Sequence, residues 1–185
     1  MIFQLIRWVI KISKKGQYKF KITLFGSEAV GKTSLLLRYI KDSFTPDLKK
    51  TIGSNFLVKD LTIEDISIRL LIWDIAGQTA FQKLRSIYFK GSNGALGVYD
   101  VTEAQTLLKI PGWVSSIKKS VKKNIPMILL GNKIDLERKV DPSEAKDLAE
   151  RLKCDYLETS AKTGEKVDEA FGRIARACLE SFQNI

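Results

Sequence analysis

Gly26-Ser27-Glu28-Ala29-Val30-Gly31-Lys32-Thr33 follows an apolar run at residues 20–25 and opens into a helix-like run at 34–40. The eight residues fit G-x-x-x-x-G-K-[ST], a spacing with a physical reason. Glycines let the backbone curl until several N–H groups point inward at a polyphosphate, at the positive end of the following helix dipole. Lys32 would reach the β- and γ-phosphates, and the Thr33 hydroxyl would bind Mg²⁺. The plain alternative is a Gly-rich turn between a strand and a helix.

Apolar runs suited to strands occur at 19–25, 54–61, 66–73, 95–99, 125–130 and 154–158, with helix-like stretches at 31–40, 107–121, 143–152 and 165–182. This alternation predicts an α/β fold: a mostly parallel six-stranded sheet with helices on both faces. The runs at 54–61 and 66–73 are too close for a crossover and read as one antiparallel hairpin. Met127-Ile128-Leu129-Leu130 has the continuous apolar character of a strand buried on both sides. Pro111 falls inside the helical stretch at 107–121, which must begin or kink there.

A chain of 185 residues with 44% apolar and 28% charged residues suits one domain of a soluble globular protein. Cys154 and Cys178 are its only cysteines, too few for a disulfide framework, and point to a reducing, cytoplasmic setting. Histidine is absent, so Ser-His-Asp and Cys-His catalysis and the usual transition-metal ligands are excluded. The net charge is +10, and residues 1–27 hold Arg7, Lys11, Lys14, Lys15, Lys19 and Lys21 with no acid. The excess therefore sits largely ahead of the nucleotide motif. No basic patch with interleaved aromatics argues for nucleic acid elsewhere.

Phosphate-binding loops also serve adenine nucleotides, so the base has to be read from other residues. After Leu130 comes Gly131-Asn132-Lys133-Ile134-Asp135. A carboxylate can accept two parallel hydrogen bonds from N1–H and the exocyclic amine of guanine, a donor pair that adenine lacks. Asp135 would select guanine, since facing adenine would leave it unpaired at a cost of roughly 1–3 kcal/mol or more. Asn132 would tie this loop to the phosphate loop, and the stem of Lys133 would pack over the sugar or base. Alone the N-K-x-D element also reads as a polar turn; Glu158-Thr159-Ser160-Ala161-Lys162 at the end of the next strand strengthens the nucleotide reading.

Residues 18–182 resemble a Ras-superfamily small GTPase, most of all the Rab branch. Five elements agree in order: 26–33, Thr51-Ile52-Gly53, Trp73-Asp74-Ile75-Ala76-Gly77-Gln78, 132–135 and Ser160-Ala161-Lys162. The Rab leaning rests on Ile52-Gly53, Leu70-Leu71-Ile72-Trp73, Leu84-Arg85-Ser86-Ile87-Tyr88-Phe89-Lys90-Gly91 and Val98-Tyr99-Asp100-Val101-Thr102. The resemblance implies a single P-loop NTPase domain at 18–182, with a basic extension at 1–17 and a short tail at 183–185. It also implies a nucleotide site of Gly26, Glu28, Ala29, Val30, Gly31, Lys32, Thr33, Ser34, Phe44, Thr51, Gly77, Asn132, Lys133, Asp135, Ser160, Ala161 and Lys162. In it Ala161 would donate its N–H to the guanine carbonyl, and Phe44 would pack edge-on against the base.

The implied reaction is slow, Mg²⁺-dependent hydrolysis of GTP to GDP, in which charge and position matter more than covalent chemistry. Lys32 and the N–H groups of residues 29–34 would hold the phosphates. Mg²⁺ would take the hydroxyls of Thr33 and Thr51, with Asp74 acting through water. Thr51 would sense the γ-phosphate, Gly77 would offer it a backbone N–H, and Gln78 would orient the attacking water. The catalytic set is thus Gln78, Lys32 and Thr51. The loop at 42–53 has Lys49 and Lys50 but no arginine, so an outside activating protein is expected to supply one. That protein, an exchange factor and effectors would act through residues 42–53 and 77–89.

Several positions depart from the family pattern. Glu28 stands where a small residue is usual; it either obstructs Gln78 and an incoming arginine or turns to solvent and captures that arginine. Thr79-Ala80 replaces a usual Glu-Arg pair, and Leu48 stands where an aromatic often covers the phosphates. The final residues, from Cys178 to Ile185, form neither a C-a-a-X box nor a terminal cysteine pair. Either a lipidated tail lies beyond this sequence or attachment works differently. Polar residues at 4, 7, 11, 14 and 15 leave an apolar face with Phe3 and Trp8, the makeup of an interfacial helix on anionic lipid. The same segment could instead pack on the domain or form an edge strand. A monomeric switch in membrane trafficking or signalling, cytoplasmic or peripheral to a membrane, is the leading expectation. A GTP-loaded scaffold with impaired hydrolysis and an adenine-nucleotide enzyme are the alternatives.

Overall fold

The computed structural model describes residues 17–46, 48, 51, 53–77 and 85–184. The readings placed on residues 1–15, Lys49, Lys50 and Gln78 lie outside them. Strands β1 (Tyr18–Phe25), β2 (Ser54–Ile63), β3 (Ile66–Ile75), β4 (Gly94–Asp100), β5 (Met127–Asn132) and β6 (Asp155–Thr159) make one sheet in the order β2-β3-β1-β4-β5-β6. Every neighbouring pair is parallel except β2 with β3. This is the expected α/β architecture with its single antiparallel hairpin strand.

Helices α1 (Lys32–Lys41), α2 (Arg85–Phe89), α3 (Ala104–Leu108), α4 (Ile110–Val121), α5 (Pro142–Leu152) and α6 (Val167–Gln183) cover the sheet. Side-chain alternation divides the core in two. Phe20, Ile22 and Leu24 of β1, with Ile128 and Leu130 of β5, pack beneath α1 and α6. Phe25, Met127 and Leu129 face α4 and α5 on the other side. With both of its faces covered, β5 has no polar side to show, which is why it reads as unbroken apolar sequence.

The helices follow their sequence periodicity. α6 buries Val167, Ala170, Phe171, Ile174, Ala175, Cys178 and Leu179, a stripe at helical spacing, and Phe171 stacks on Tyr39 of α1 with ring centroids 4.1 Å apart. The helical stretch expected at 107–121 is broken at Lys109 into α3 and α4, with Pro111 in the first turn of α4, where its missing N–H costs nothing. Cys154 and Cys178 are free thiols. Among the described residues no helix is long and apolar enough to cross a membrane.

The β2–β3 hairpin closes more tightly than the sequence suggests. Ile63 pairs with Ile66, leaving only Glu64 and Asp65 in the turn, at φ of 49° and 65°. Two positive φ values define a type I′ turn, the geometry that Asn-Gly fills without strain. Each non-glycine residue in that region costs about 1–2 kcal/mol, while the exposed Arg176–Glu64 pair returns about 0–1 kcal/mol. Glu64→Asn with Asp65→Gly is therefore expected to stabilise the fold by about 1 kcal/mol. Urea unfolding at fixed nucleotide concentration measures it, and a midpoint lowered by the double substitution would contradict the strain.

Candidate functional site

Between β1 and α1 the chain curls under two tight constraints. Gly26 has φ of 139°, and a Cβ there would lie 2.1 Å from the Val98 carbonyl oxygen; at Gly31, φ is 92° and a Cβ would lie 2.3 Å from Nδ2 of Asn132. No larger residue fits at either position. Inside the curl the buried Lys32 donates from Nζ to the carbonyl oxygens of Ser27 at 2.7 Å and Gly26 at 3.1 Å. Burial pushes its pKa down to about 8, against the upward pull of Asp74. α1 starts at Gly31 with no side-chain cap and no acid in its first turn, which leaves its positive end to an outside acceptor.

A cluster of hard oxygen atoms adjoins the lysine. Thr33 Oγ1 donates to Asp74 Oδ2 at 2.5 Å and lies 2.8 Å from Thr51 Oγ1, which is 3.5 Å from the same carboxylate oxygen. Asp74 is fully buried at the end of β3, and its Oδ1 has no hydrogen-bond partner among the described residues. Desolvation raises its pKa, opposed by the Thr33 bond and the Lys32 charge. Two hydroxyls and a buried carboxylate with an unused oxygen are a donor set that fits a small, hard divalent cation.

On the other side of the phosphate loop, β5 ends in Asn132, only 1% exposed. Its Nδ2 donates to the Val30 carbonyl at 2.9 Å, and its Oδ1 accepts from Ala161 N–H at 3.2 Å and Thr159 Oγ1 at 3.3 Å. One side chain thus joins the phosphate loop to the loop after β6. Asp135 accepts from Ser160 Oγ at 2.5 Å, with Lys162 Nζ 4.0 Å from its second oxygen. Lys133, at φ of 72°, pairs through Nζ with Asp100 Oδ2 at 2.5 Å.

These residues surround a cleft of about 610 Å³, within the range of small-molecule sites. It opens at the carboxyl ends of the strands beside β1, where the chain order reverses, the usual ligand position in such sheets. Glu28, Ala29, Gly31, Lys32, Thr33, Ser34, Phe44, Thr51, Gly77, Asn132, Lys133, Asp135, Ala161 and Lys162 all line it. Gly26, Val30 and Ser160 stand behind the lining and hold Lys32, Asn132 and Asp135 respectively. Gly77 lies flat on the phosphate loop, where a Cβ would come within 2.3 Å of the Glu28 amide nitrogen.

The cleft also includes Pro46, Leu48 and Leu136, absent from the sequence-derived binding set. Arg38 of α1 braces the far wall, donating to the carbonyls of Ala161 at 2.9 Å and Lys162 at 2.7 Å. A helix arginine carries no sequence signal for such a role. Arg85 likewise escaped that set; its guanidinium lies 3.4 Å over the Trp113 ring and reaches the Gly77 carbonyl at 3.5 Å.

The description "Ras family" fits the chain over residues 21–180. A Ras-related protein RABA4b of Arabidopsis thaliana is 43% identical over 164 residues, which span 88% of this chain and 73% of that protein. A Ras-related protein Rab-13 of Rattus norvegicus is 38% identical over 91% of this chain and 84% of its own length. GTP-binding protein ypt2 of Schizosaccharomyces pombe is 40% identical over 89% and 83%.

The depressed Lys32 pKa has a consequence for ligand binding. Below about pH 8 the amine is charged in the free protein; above that value it is neutral, whereas a polyphosphate beside it would hold the proton. Nucleoside triphosphate binding at about pH 9 should take up close to one proton, with affinity falling by up to about tenfold per pH unit above pH 8. Calorimetry in two buffers of different ionisation enthalpy reads the proton. Affinity independent of pH over this interval, without uptake, would contradict the assignment.

Proposed function

The chain belongs to the Ras family and is a small GTPase, and on that premise we propose that it is a Mg²⁺-dependent switch whose intrinsic hydrolysis is slow. The observation that supports this reading is that Asp135, which would select guanine, and Lys32 of the phosphate loop line one cleft, with the Asn132 bridge tying the phosphate loop to the loop after β6. Asp135 would accept from the guanine N1–H and amine, and Ala161 would donate to its carbonyl. Phe44 and the stem of Lys133 would enclose the base and sugar.

Lys32 would exchange the Gly26 and Ser27 carbonyls for phosphate oxygens, and the N–H groups of residues 29–34 would take the rest. Thr33 and Thr51 would ligate Mg²⁺, with Asp74 holding one of its waters. The ion, when bound, would neutralise charge building on the β- and γ-oxygens. Gln78 would position the water, since a side-chain amide is too weak a base to take its proton. Loss of the γ-phosphate would release Thr51 and Gly77, and with them both switch loops.

Partners would read those loops at residues 42–53 and 77–89. Phe56, 52% exposed, stacks on Trp73 with centroids 5.3 Å apart, and Tyr88 adjoins it, an apolar platform between the two loops. An exchange factor, an activator that brings an arginine, and effectors fit this arrangement. The relatives' Rab names support membrane trafficking, with this chain a monomer in the cytoplasm and peripheral to a membrane that residues 1–15 contact. Nucleic acid has no place in this reading.

Glu28 favours a second reading, a GTP-loaded binding module. It lies on the cleft rim, on the stretch of phosphate loop that Gly77 touches. Single-turnover GTP hydrolysis separates the two. The switch predicts turnover of about 10⁻² s⁻¹ or slower that stops when Mg²⁺ is chelated; no hydrolysis over many hours would favour the module. If Glu28 crowds the water and the incoming arginine, Glu28→Gly accelerates hydrolysis with and without activator. Unchanged rates in both conditions would remove the obstruction.

A further inference from the structure

The end of the molecule opposite the nucleotide cleft has a strongly basic surface of its own. α4 runs out through Lys118, Lys119, Lys122 and Lys123, and Lys153 follows α5; all five are exposed. None enters an ion pair among the described residues. No acidic residue occurs in the sequence between Glu103 and Asp135. Lys118, Lys123 and Lys153 rim a groove of about 250 Å³ between the ends of α4 and α5, floored by Val121, Ile125 and Leu152. Cations around an apolar floor complement an anionic amphiphile.

The strand register places this surface beside the entry of the N-terminal segment. Ala95 of β4 pairs with Thr23 on one side and Met127 on the other, and the three strands run parallel. Residues 18–21, which begin β1, and residues 122–126, which lead into β5, therefore project from the same edge of the sheet. Arg7, Lys11, Lys14 and Lys15 precede that edge with no acid among them. In the sequence, a second acid-free basic stretch thus leads into the strand that begins at this edge.

We propose that this end docks on an anionic lipid bilayer, with Lys118, Lys119, Lys122, Lys123 and Lys153 taking phosphatidylserine headgroups and the Val121–Ile125–Leu152 floor meeting the acyl boundary. The surface is distinct from the contact assigned above to residues 1–15, and it directs the nucleotide cleft away from the membrane. A bilayer fits better than an acidic protein partner, because the cations surround an apolar floor and the sequence leading into β1 adds Phe3 and Trp8 to further basic charge.

The test is co-sedimentation of the full chain with phosphatidylcholine vesicles and with vesicles containing a third phosphatidylserine. The wild type should pellet only with the anionic vesicles and be released by high salt. Lys118→Glu, Lys122→Glu and Lys123→Glu together should lower binding by about tenfold or more, with residues 1–15 intact. The three matching Lys→Arg changes should retain binding, and guanine-nucleotide affinity should be unchanged in both variants. Equal pelleting of wild type and the Glu variant would overturn this surface while leaving the N-terminal contact standing. A wild type that ignores anionic vesicles but binds a poly-glutamate peptide through these lysines would overturn the bilayer in favour of an acidic protein.

Discussion

The buried amide of Asn132 is the constraint on which the rest of the site depends. From the end of β5 it reaches the Val30 carbonyl on one side and the Ala161 N–H and Thr159 hydroxyl on the other. The phosphate loop and the base loop are far apart in sequence, so nothing local sets the distance between them. A side chain with both a donor and an acceptor sets it at a single point. Its absence would leave a buried carbonyl and a buried N–H unpaired, each at a cost of about 1–3 kcal/mol. Gly31 follows from the same contact, since any Cβ there would collide with the Asn132 amide nitrogen.

The polar cluster on the opposite wall is arranged for a different purpose. Buried Lys32 and Asp74 and half-buried Thr33 and Thr51 form a group that satisfies itself only in part, with Lys32 turned onto main-chain carbonyls and one Asp74 oxygen without a partner among the described residues. Burial disfavours the charge on both Lys32 and Asp74. A polyphosphate with a hard cation would supply the complement each lacks, and binding energy would then be coupled to the order of the Thr51 loop. On the proposed reading the Asn132 side would fix where the nucleotide lies, and the polar side would give its terminal phosphate something to change.

Much of this was legible before any coordinates. β5 announced itself because two covered faces demand unbroken apolar residues, and the hairpin because no crossover fits between β2 and β3. The glycine and lysine spacing marked the curled loop after β1, and N-K-x-D marked the loop after β5 that Asn132 ties to it beside the same cleft. What escaped has identifiable causes. Helices α2 and α3 are five residues each, too short to show a period. The hairpin turn was read two residues too long, since Thr62 and Ile63 carry no signal that pairing continues through them. Arg38 and Arg85 act through contacts with distant main chain and a tryptophan face, which a linear pattern cannot display. The basic end emerges only when the parallel register brings residues 18–21 and 122–126 to one edge.

The most direct measurement of the central claim is isothermal titration of the full-length, nucleotide-stripped chain with GDP and with ATP in Mg²⁺ buffer. If Asp135, held by Ser160, reads the base in the cleft that Asn132 ties to the phosphate loop, GDP binds tightly and ATP gives no heat beyond dilution. Tight ATP uptake with indifference to GDP would contradict the account at its root.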